Sequence, residues 1–235
     1  MKTWHTKSGY TIYRILPGRS NVFLLSGNGI NILIDTSPVY KWNRLKRRFK
    51  ELNINKIDFL ILTHTHFDHA ANAKKVKDEY GAKVIVNNLE AGYLLKGENP
   101  MIHGTVFMLR GIVKILAPIV LQKQKYEGCR SDILVDKGFD LKEFGLNAQI
   151  LHTPGHSPGS QSVIVDNEIA LTGDAMFGVF PGSVFPPFAA DENELLKSWG
   201  KLLDTGCSIF LPSHGTADSK QLLIKDYNKR RMKIS

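Results

Sequence analysis

Thr63-His-Thr-His-Phe-Asp-His69 packs four metal-ligand side chains, His64, His66, Asp68 and His69, into six positions. Neutral imidazoles and carboxylates are the donors that borderline divalent cations such as zinc accept. A regular strand or helix cannot bring all four to one ion. On a loop between a strand and a helix they splay, with His64 and His66 reaching one ion and Asp68 and His69 another. The flanks supply that loop. Ile57-Asp-Phe-Leu-Ile-Leu62 is a short apolar run of the kind a buried strand shows, and residues 70–80 are helical in composition with Gly81 as a stop. Standing alone, the cluster favours a metal site, with a histidine-rich surface turn as the other reading.

Three further sites favour a metal centre. Thr153-Pro-Gly-His156-Ser-Pro-Gly-Ser160 is a Gly/Pro-rich turn between two predicted strands, with a histidine at its apex. Eighteen residues on, Leu171-Thr-Gly-Asp174 ends a strand with a carboxylate, and forty beyond that Leu211-Pro-Ser-His214-Gly ends another with a histidine. One histidine at a strand end is more often a satisfied polar residue than a ligand. Three such sites, added to the first cluster, point to one shared locus.

The rest of the chain reads as strands followed by helices, twice, around a central insertion. Residues 10–15, 22–25 and 30–34 are β-branched or aromatic runs, with Ser26-Gly-Asn-Gly29 as a tight-turn signal. Lys41-Trp-Asn-Arg-Leu-Lys-Arg-Arg-Phe-Lys50 has the spacing of an amphipathic helix with Trp42, Leu45 and Phe49 on its inner face. A strand at 83–86 precedes a helical insertion over about 89–128, whose apolar part, 105–121, suits a lid, an interface or plain packing. Strands resume at 133–135, 139–141, 148–151, 160–165 and 169–171, then a helix near 193–203, a strand at 208–211 and a basic terminal helix. We expect residues 1–235 to form a single domain in which two sheets stack between helices, bringing the strand-end motifs to one edge.

Composition bounds the partners. Hydrophobic residues at 43% and charged residues at 23% describe an ordinary globular core. The net charge of +9 could attract nucleic acid or acidic lipid, but the cations concentrate in residues 41–50 and 220–233, where they form the solvated faces of helices. Nucleic acid is therefore not an expected partner. No apolar run is long enough for a membrane span, and Met1 to Tyr10 lacks a signal-peptide core, so the expected location is cytoplasmic. Cys129 and Cys207 are read as two buried thiols.

Residues 63–69, 153–160, 172–174 and 213–215 resemble, in order, the signatures of the metallo-β-lactamase superfamily. The resemblance spans Asp35 to His214 and implies an α/β fold, a four-layer αββα sandwich of two mixed sheets flanked by helices, around a binuclear centre. Carried over residue by residue, it implies that His64, His66 and His156 bind one metal, that Asp68, His69 and His214 bind the second, and that Asp174 bridges them. Asp35 matches a family aspartate that orients ligating imidazoles from behind. The implied cofactors are two divalent ions, zinc first, with iron or manganese compatible.

The same resemblance narrows the chemistry. β-Lactamases with a cysteine ligand place it where Asp174 stands here. The bridging aspartate and the Thr-Pro-Gly-His-Ser-Pro-Gly turn look more like glyoxalase II and the lactonases. Glyoxalase II carries a long C-terminal helical domain that binds glutathione, whereas 21 residues follow His214 here. The expected activity is hydrolysis of a small ester, thioester or lactone by a metal-bound hydroxide, with Asp68 holding the nucleophile and passing a proton to the leaving group. The alternatives are an iron-containing sulfur dioxygenase-like enzyme and a phosphodiesterase or nuclease of the same superfamily. The aromatics between Phe177 and Phe188 suit either a wall of an acyl pocket or core packing. His5, His103 and His152 are read as structural.

Overall fold

A computed structural model of the chain describes residues 1–18, 20–101, 103–105, 116, 119 and 121–232. In chain order the strands are β1 (Lys2–His5), β2 (Thr11–Leu16), β3 (Val22–Gly27), β4 (Ile30–Ile34), β5 (Phe59–Ile61), β6 (Lys83–Asn87), β7 (His103–Gly104), β8 (Ile133–Val135), β9 (Gly138–Asp140), β10 (Ala148–His152), β11 (Gln161–Val165), β12 (Ile169–Gly178), β13 (Phe188–Ala189), β14 (Ile209–Gly215) and β15 (Asp218–Ser219). The described helices are α1 (Trp42–Glu51), α2 (Phe67–Ala70), α3 (Ala73–Tyr80), α4 (Asn88–Lys96), α5 (Glu192–Asp204) and α6 (Lys220–Arg231).

The strands form two mixed sheets. The seven-stranded sheet runs β1-β2-β3-β4-β5-β6-β8, antiparallel up to β4 and parallel from there on. The six-stranded sheet runs β15-β14-β12-β11-β10-β9, with only β12 and β14 parallel. Side chains alternate across each strand, so each sheet offers two faces to cover. Ile12, Phe23, Ile32 and Ile34 meet Ile150, Val163, Val165 and Leu211 between the sheets. The opposite face of the first sheet, with Leu24, Leu33 and Val84, is covered by Leu45 and Phe49 of α1 and Val76 of α3. The outer face of the second, with Ile164 and Phe210, is covered by Leu195, Trp199 and Leu202 of α5 and Leu223 of α6. The result is the αββα sandwich.

The apolar stripe expected on α1 is the buried one: Trp42, Leu45 and Phe49. Other boundaries differ. The helix expected over 70–80 is broken, because the Asn72 side chain donates to the carbonyls of Thr36, Ser37 and Pro38 and pins its backbone between α2 and α3. Gly81 does stop α3, at φ +72. β1 escaped the sequence reading because Lys-Thr-Trp-His carries a single large apolar residue; its pairing with β2 is what makes it a strand. β12 runs to Gly178, beyond the expected end at Leu171. Of the insertion expected over 89–128, α4 is helical, but His103–Gly104 pairs with β13 as a two-stranded ribbon. Residues 102, 106–115, 117–118 and 120, on which most of the lid-or-interface question falls, lie outside the described residues. Cys129 and Cys207 are both buried and free.

β4, β5, β10, β12 and β14 matter most for the site. β4 and β5 are parallel, as are β12 and β14, and β10 runs parallel to β12 through two antiparallel steps. The C-terminal ends within each sheet therefore share one edge, where loops present side chains from a rigid base.

Candidate metal centre

All seven side chains singled out as ligands meet at that edge. Donor atoms lie within 4.8 Å of one another in three groups: His64 with His66 and His156; Asp68 with His69 and His214; and His64 with His69 and Asp174. His64 to His69 come from the loop after β5 and the first turn of α2, His156 from the turn after β10, Asp174 from β12 and His214 from β14. The Asp174 Oδ2 lies 3.2 Å from the Nε2 of His214 and 3.5 Å from that of His156, while its Oδ1 lies 3.5 Å from the Nε2 of His69. Asp68 reaches His69 and His214 at 3.7 and 3.6 Å.

Four buried imidazoles share one arrangement. Each ties one ring nitrogen to a protein acceptor and turns the other inward. The Nδ1 of His69 donates to Asp35 (2.8 Å), the Nδ1 of His156 to the Phe188 carbonyl (2.9 Å), and the Nε2 of His66 to the Pro100 carbonyl (3.0 Å). The Nδ1 of His64 lies 3.1 Å from the Thr63 hydroxyl, which itself donates to Asp35. A neutral histidine whose outer nitrogen donates offers a lone pair at the inner one. Those inner atoms lack protein partners where it counts: the Nε2 of His64, the Nε2 of His69 and the Oδ1 of Asp174 are buried with no hydrogen bond. Buried polar atoms are almost always paired, so orphans converging on one point call for a cation. The donor set fits one.

Charge tells the same story. Burial pushes His64 well below the ordinary imidazole range, helped by His69 and the other histidines. His156 falls to about 4 for the same reason, against the pull of Asp174. For His69 burial also disfavours the cation, but Asp174, Asp68 and Asp35 together outweigh it and raise the ring to about 10. Asp174, despite its burial, is held far below the usual carboxylate range by His214, His69 and His156. Without a metal, protons must neutralise this cluster.

Asp35, which the resemblance places behind the candidate ligands, sits fully buried at φ +62. It accepts from the Thr63 backbone N–H (2.8 Å), the Thr63 hydroxyl (2.9 Å), His69 and the Ser213 hydroxyl (3.1 Å). One carboxylate thus braces the loops that carry His64, His69 and His214. Other supports were not legible in the sequence. Ser20 donates to the Asp68 carbonyl at 2.5 Å, Thr36 to the His69 carbonyl at 2.7 Å, and Gln161 to the Leu62 carbonyl at 2.8 Å. Each is a common polar residue distant in sequence from what it holds, so no spacing announces it.

Residues 15–214 match the family model of the metallo-beta-lactamase superfamily. The chain belongs to that superfamily. A relative in this metallo-hydrolase superfamily, the probable metallo-hydrolase MJ0888 of Methanocaldococcus jannaschii, is 28% identical over 158 residues, covering 67% of this chain and 68% of the relative. Hydroxyacylglutathione hydrolase GloC of Haemophilus influenzae is 30% identical over 141 residues, 57% of this chain and 56% of its own. Among solved structures, the BLEG-1 B3 metallo-beta-lactamase superposes with a TM-score of 0.68 at 21% identity, over 92% of this chain and 96% of its own, which shows the shared fold.

Around the superfamily site, the aromatics between Phe177 and Phe188 divide. Phe177 stacks on the His214 ring, centroids 4.5 Å apart, and forms a wall of the site. Phe185 packs edge-on against Trp199 in the core. Phe180 is exposed. His152 turns to the Pro158 carbonyl and stands outside the three groups. No described helix is long and apolar enough to cross a membrane.

Proposed function

We propose that this chain is a binuclear hydrolase of small esters, thioesters or lactones. His64, His66 and His156 would hold one divalent ion, Asp68, His69 and His214 the other, and Asp174 would face both. The observation that carries this reading is that the His64 Nε2, the His69 Nε2 and the Asp174 Oδ1 face inward, buried without protein partners, while the outer nitrogens of His64, His66, His69 and His156 are tied to protein oxygens. The donors are nitrogen and oxygen with no thiolate, a set that suits zinc.

Bound ions would lower the pKa of water to about 7 and polarise a carbonyl oxygen. The protein's own groups prepare the rest. The Asp68 backbone carbonyl is fixed by Ser20, which sets the direction of a side chain that is nearly buried at the mouth of the cluster. An Asp68 carboxylate oxygen can take the proton of the attacking water and return it to the leaving oxygen or sulfur. Phe177, flat against His214, keeps that imidazole from turning away and keeps water off one side. The likeness to GloC, named a hydroxyacylglutathione hydrolase, supports a thioester in particular.

The test is a panel of simple acyl esters, acyl thioesters, lactones and phosphodiesters, offered to protein reconstituted with zinc, alongside metal analysis. About two zinc per chain with turnover of carbonyl substrates supports the reading. One iron per chain with oxygen consumption, or turnover confined to phosphodiesters, contradicts it.

A further inference from the structure

Glu90 has no place in the scheme above, yet it is fully buried on the first turn of α4. Burying a carboxylate costs several kcal/mol unless donors or a cation compensate it. Its compensation is specific. One oxygen accepts from the Thr65 backbone N–H at 3.0 Å and from the Thr65 hydroxyl. The other accepts from the Ser157 hydroxyl at 2.5 Å and the Gly159 backbone N–H at 3.2 Å. Among the described residues no Lys or Arg pairs with it.

The four donors belong to two loops. Thr65 lies between His64 and His66, and Ser157 follows His156. Thr65 is held on all sides, since its carbonyl accepts from the Tyr126 hydroxyl at 2.8 Å. Gly159 approaches so closely that a Cβ there would stand 2.3 Å from the Glu90 Cγ. The two loops are far apart in sequence, and the 3.1 Å between the His66 Nδ1 and the His156 Nε2 depends on what joins them: Gln161, which donates to the Thr63 and Leu62 carbonyls at the base of the loops, and Glu90, which bonds the loops beside the histidines themselves.

We propose that Glu90 is the positioning residue of the three-histidine site: its carboxylate clamps the loop of His64 and His66 to the loop of His156, and its negative charge lies behind them to favour a divalent cation in front. The inference rests on the ligand reading given above. Asp35 plays a corresponding part at Thr63, His69 and Ser213, beside His64 and His214, so two buried carboxylates would stand behind the cluster.

The test compares metal-free wild type, Glu90→Gln and Glu90→Ala by zinc titration against a chromophoric chelator, with cobalt absorption reporting ligand geometry and thermal melts reporting the fold. Gln keeps one acceptor oxygen, which can serve Thr65, while its amide N–H can donate to Ser157; only Gly159 then faces a donor. Glu90→Ala is expected to weaken one of two binding events by roughly 10–100-fold, the range for ligand-orienting groups, and to alter the cobalt spectrum, with Glu90→Gln between. Asp226→Asn is the control: it removes a buried carboxylate that accepts from Ser183 and Val184 elsewhere, and should lower the melting temperature without changing zinc affinity. If Glu90→Ala does not fold, Thr65→Val and Ser157→Ala each remove one hydroxyl of the clamp and should each weaken the same event. Unchanged affinity and cobalt spectrum in Glu90→Ala, or in both hydroxyl variants, overturns the clamp while leaving the ligand reading standing. A wild type that binds no zinc overturns both.

Discussion

Asp35→Asn isolates the chemistry of one atom. The change is isosteric, and asparagine tolerates the left-handed backbone that Asp35 adopts at φ +62, so the fold has no steric reason to move. What changes is the donor pattern. In wild type one oxygen meets the Thr63 N–H and the other meets the Thr63 hydroxyl, His69 and Ser213. An amide has only one oxygen. If it faces the Thr63 N–H, its NH2 meets the His69 Nδ1 and drives that ring to the tautomer protonated at Nε2, which aims a proton at the atoms meant for a cation. If it faces His69, the NH2 opposes a backbone N–H, and that buried mismatch costs about 1–3 kcal/mol. Metal affinity at the Asp68, His69 and His214 group should fall roughly 10–100-fold, which is about 1.4–2.8 kcal/mol at 1.4 kcal/mol per tenfold. The metal-free melting temperature should drop by roughly 2–4 °C per kcal/mol for a chain of this size. Calorimetric zinc titration measures the first and a thermal melt the second. An Asp35→Asn protein that takes up two zinc ions with wild-type affinity would refute the argument that Asp35 fixes the His69 tautomer.

His66→Ala and Asp68→Asn should abolish hydrolysis while circular dichroism stays that of the wild type; retained turnover in both would remove the assigned centre. The stability of the metal-free protein should peak near pH 6.5. His156, lowered to about 4, loses stability as pH falls from 6.5 towards 4, because the unfolded chain takes up that proton first. His69, raised to about 10, holds its full contribution below 6.5 and loses it as pH climbs towards 10. Thermal melts across that range check both limbs, and zinc should remove the alkaline one by replacing the proton. Trp199→Ala empties the centre of the outer core and strands the Ala175 carbonyl, which accepts from the indole N–H at 2.7 Å; a loss of roughly 3–5 kcal/mol should appear in denaturant unfolding.

How far the sequence could be read depended on the range of the interaction involved. The side chains that converge at the edge were legible because they are local clusters at strand ends: His64, His66, Asp68 and His69 within one loop, and His156, Asp174 and His214 each beside glycine. Strand and helix types were legible where the period was clear, as in α1, whose Trp42, Leu45 and Phe49 stripe packs on the first sheet. The break at Asn72 was hidden, because it is made by carbonyls more than thirty residues away. Glu90 was hidden for the same reason; its partners Thr65 and Ser157 lie 25 and 67 positions distant. β1 was hidden because an edge strand is defined by its neighbour, Thr11–Leu16, rather than by its own residues. Long-range polar contacts carry no period. They are what turns a set of ligand types into a site.

The most direct measurement is the anomalous scattering of a zinc-reconstituted crystal. Two peaks roughly 3.5–4 Å apart are expected, one bounded by His64, His66 and His156 and the other by Asp68, His69 and His214, with Asp174 reaching both. Zinc at other side chains, or no peak among these seven, would contradict the account at its root.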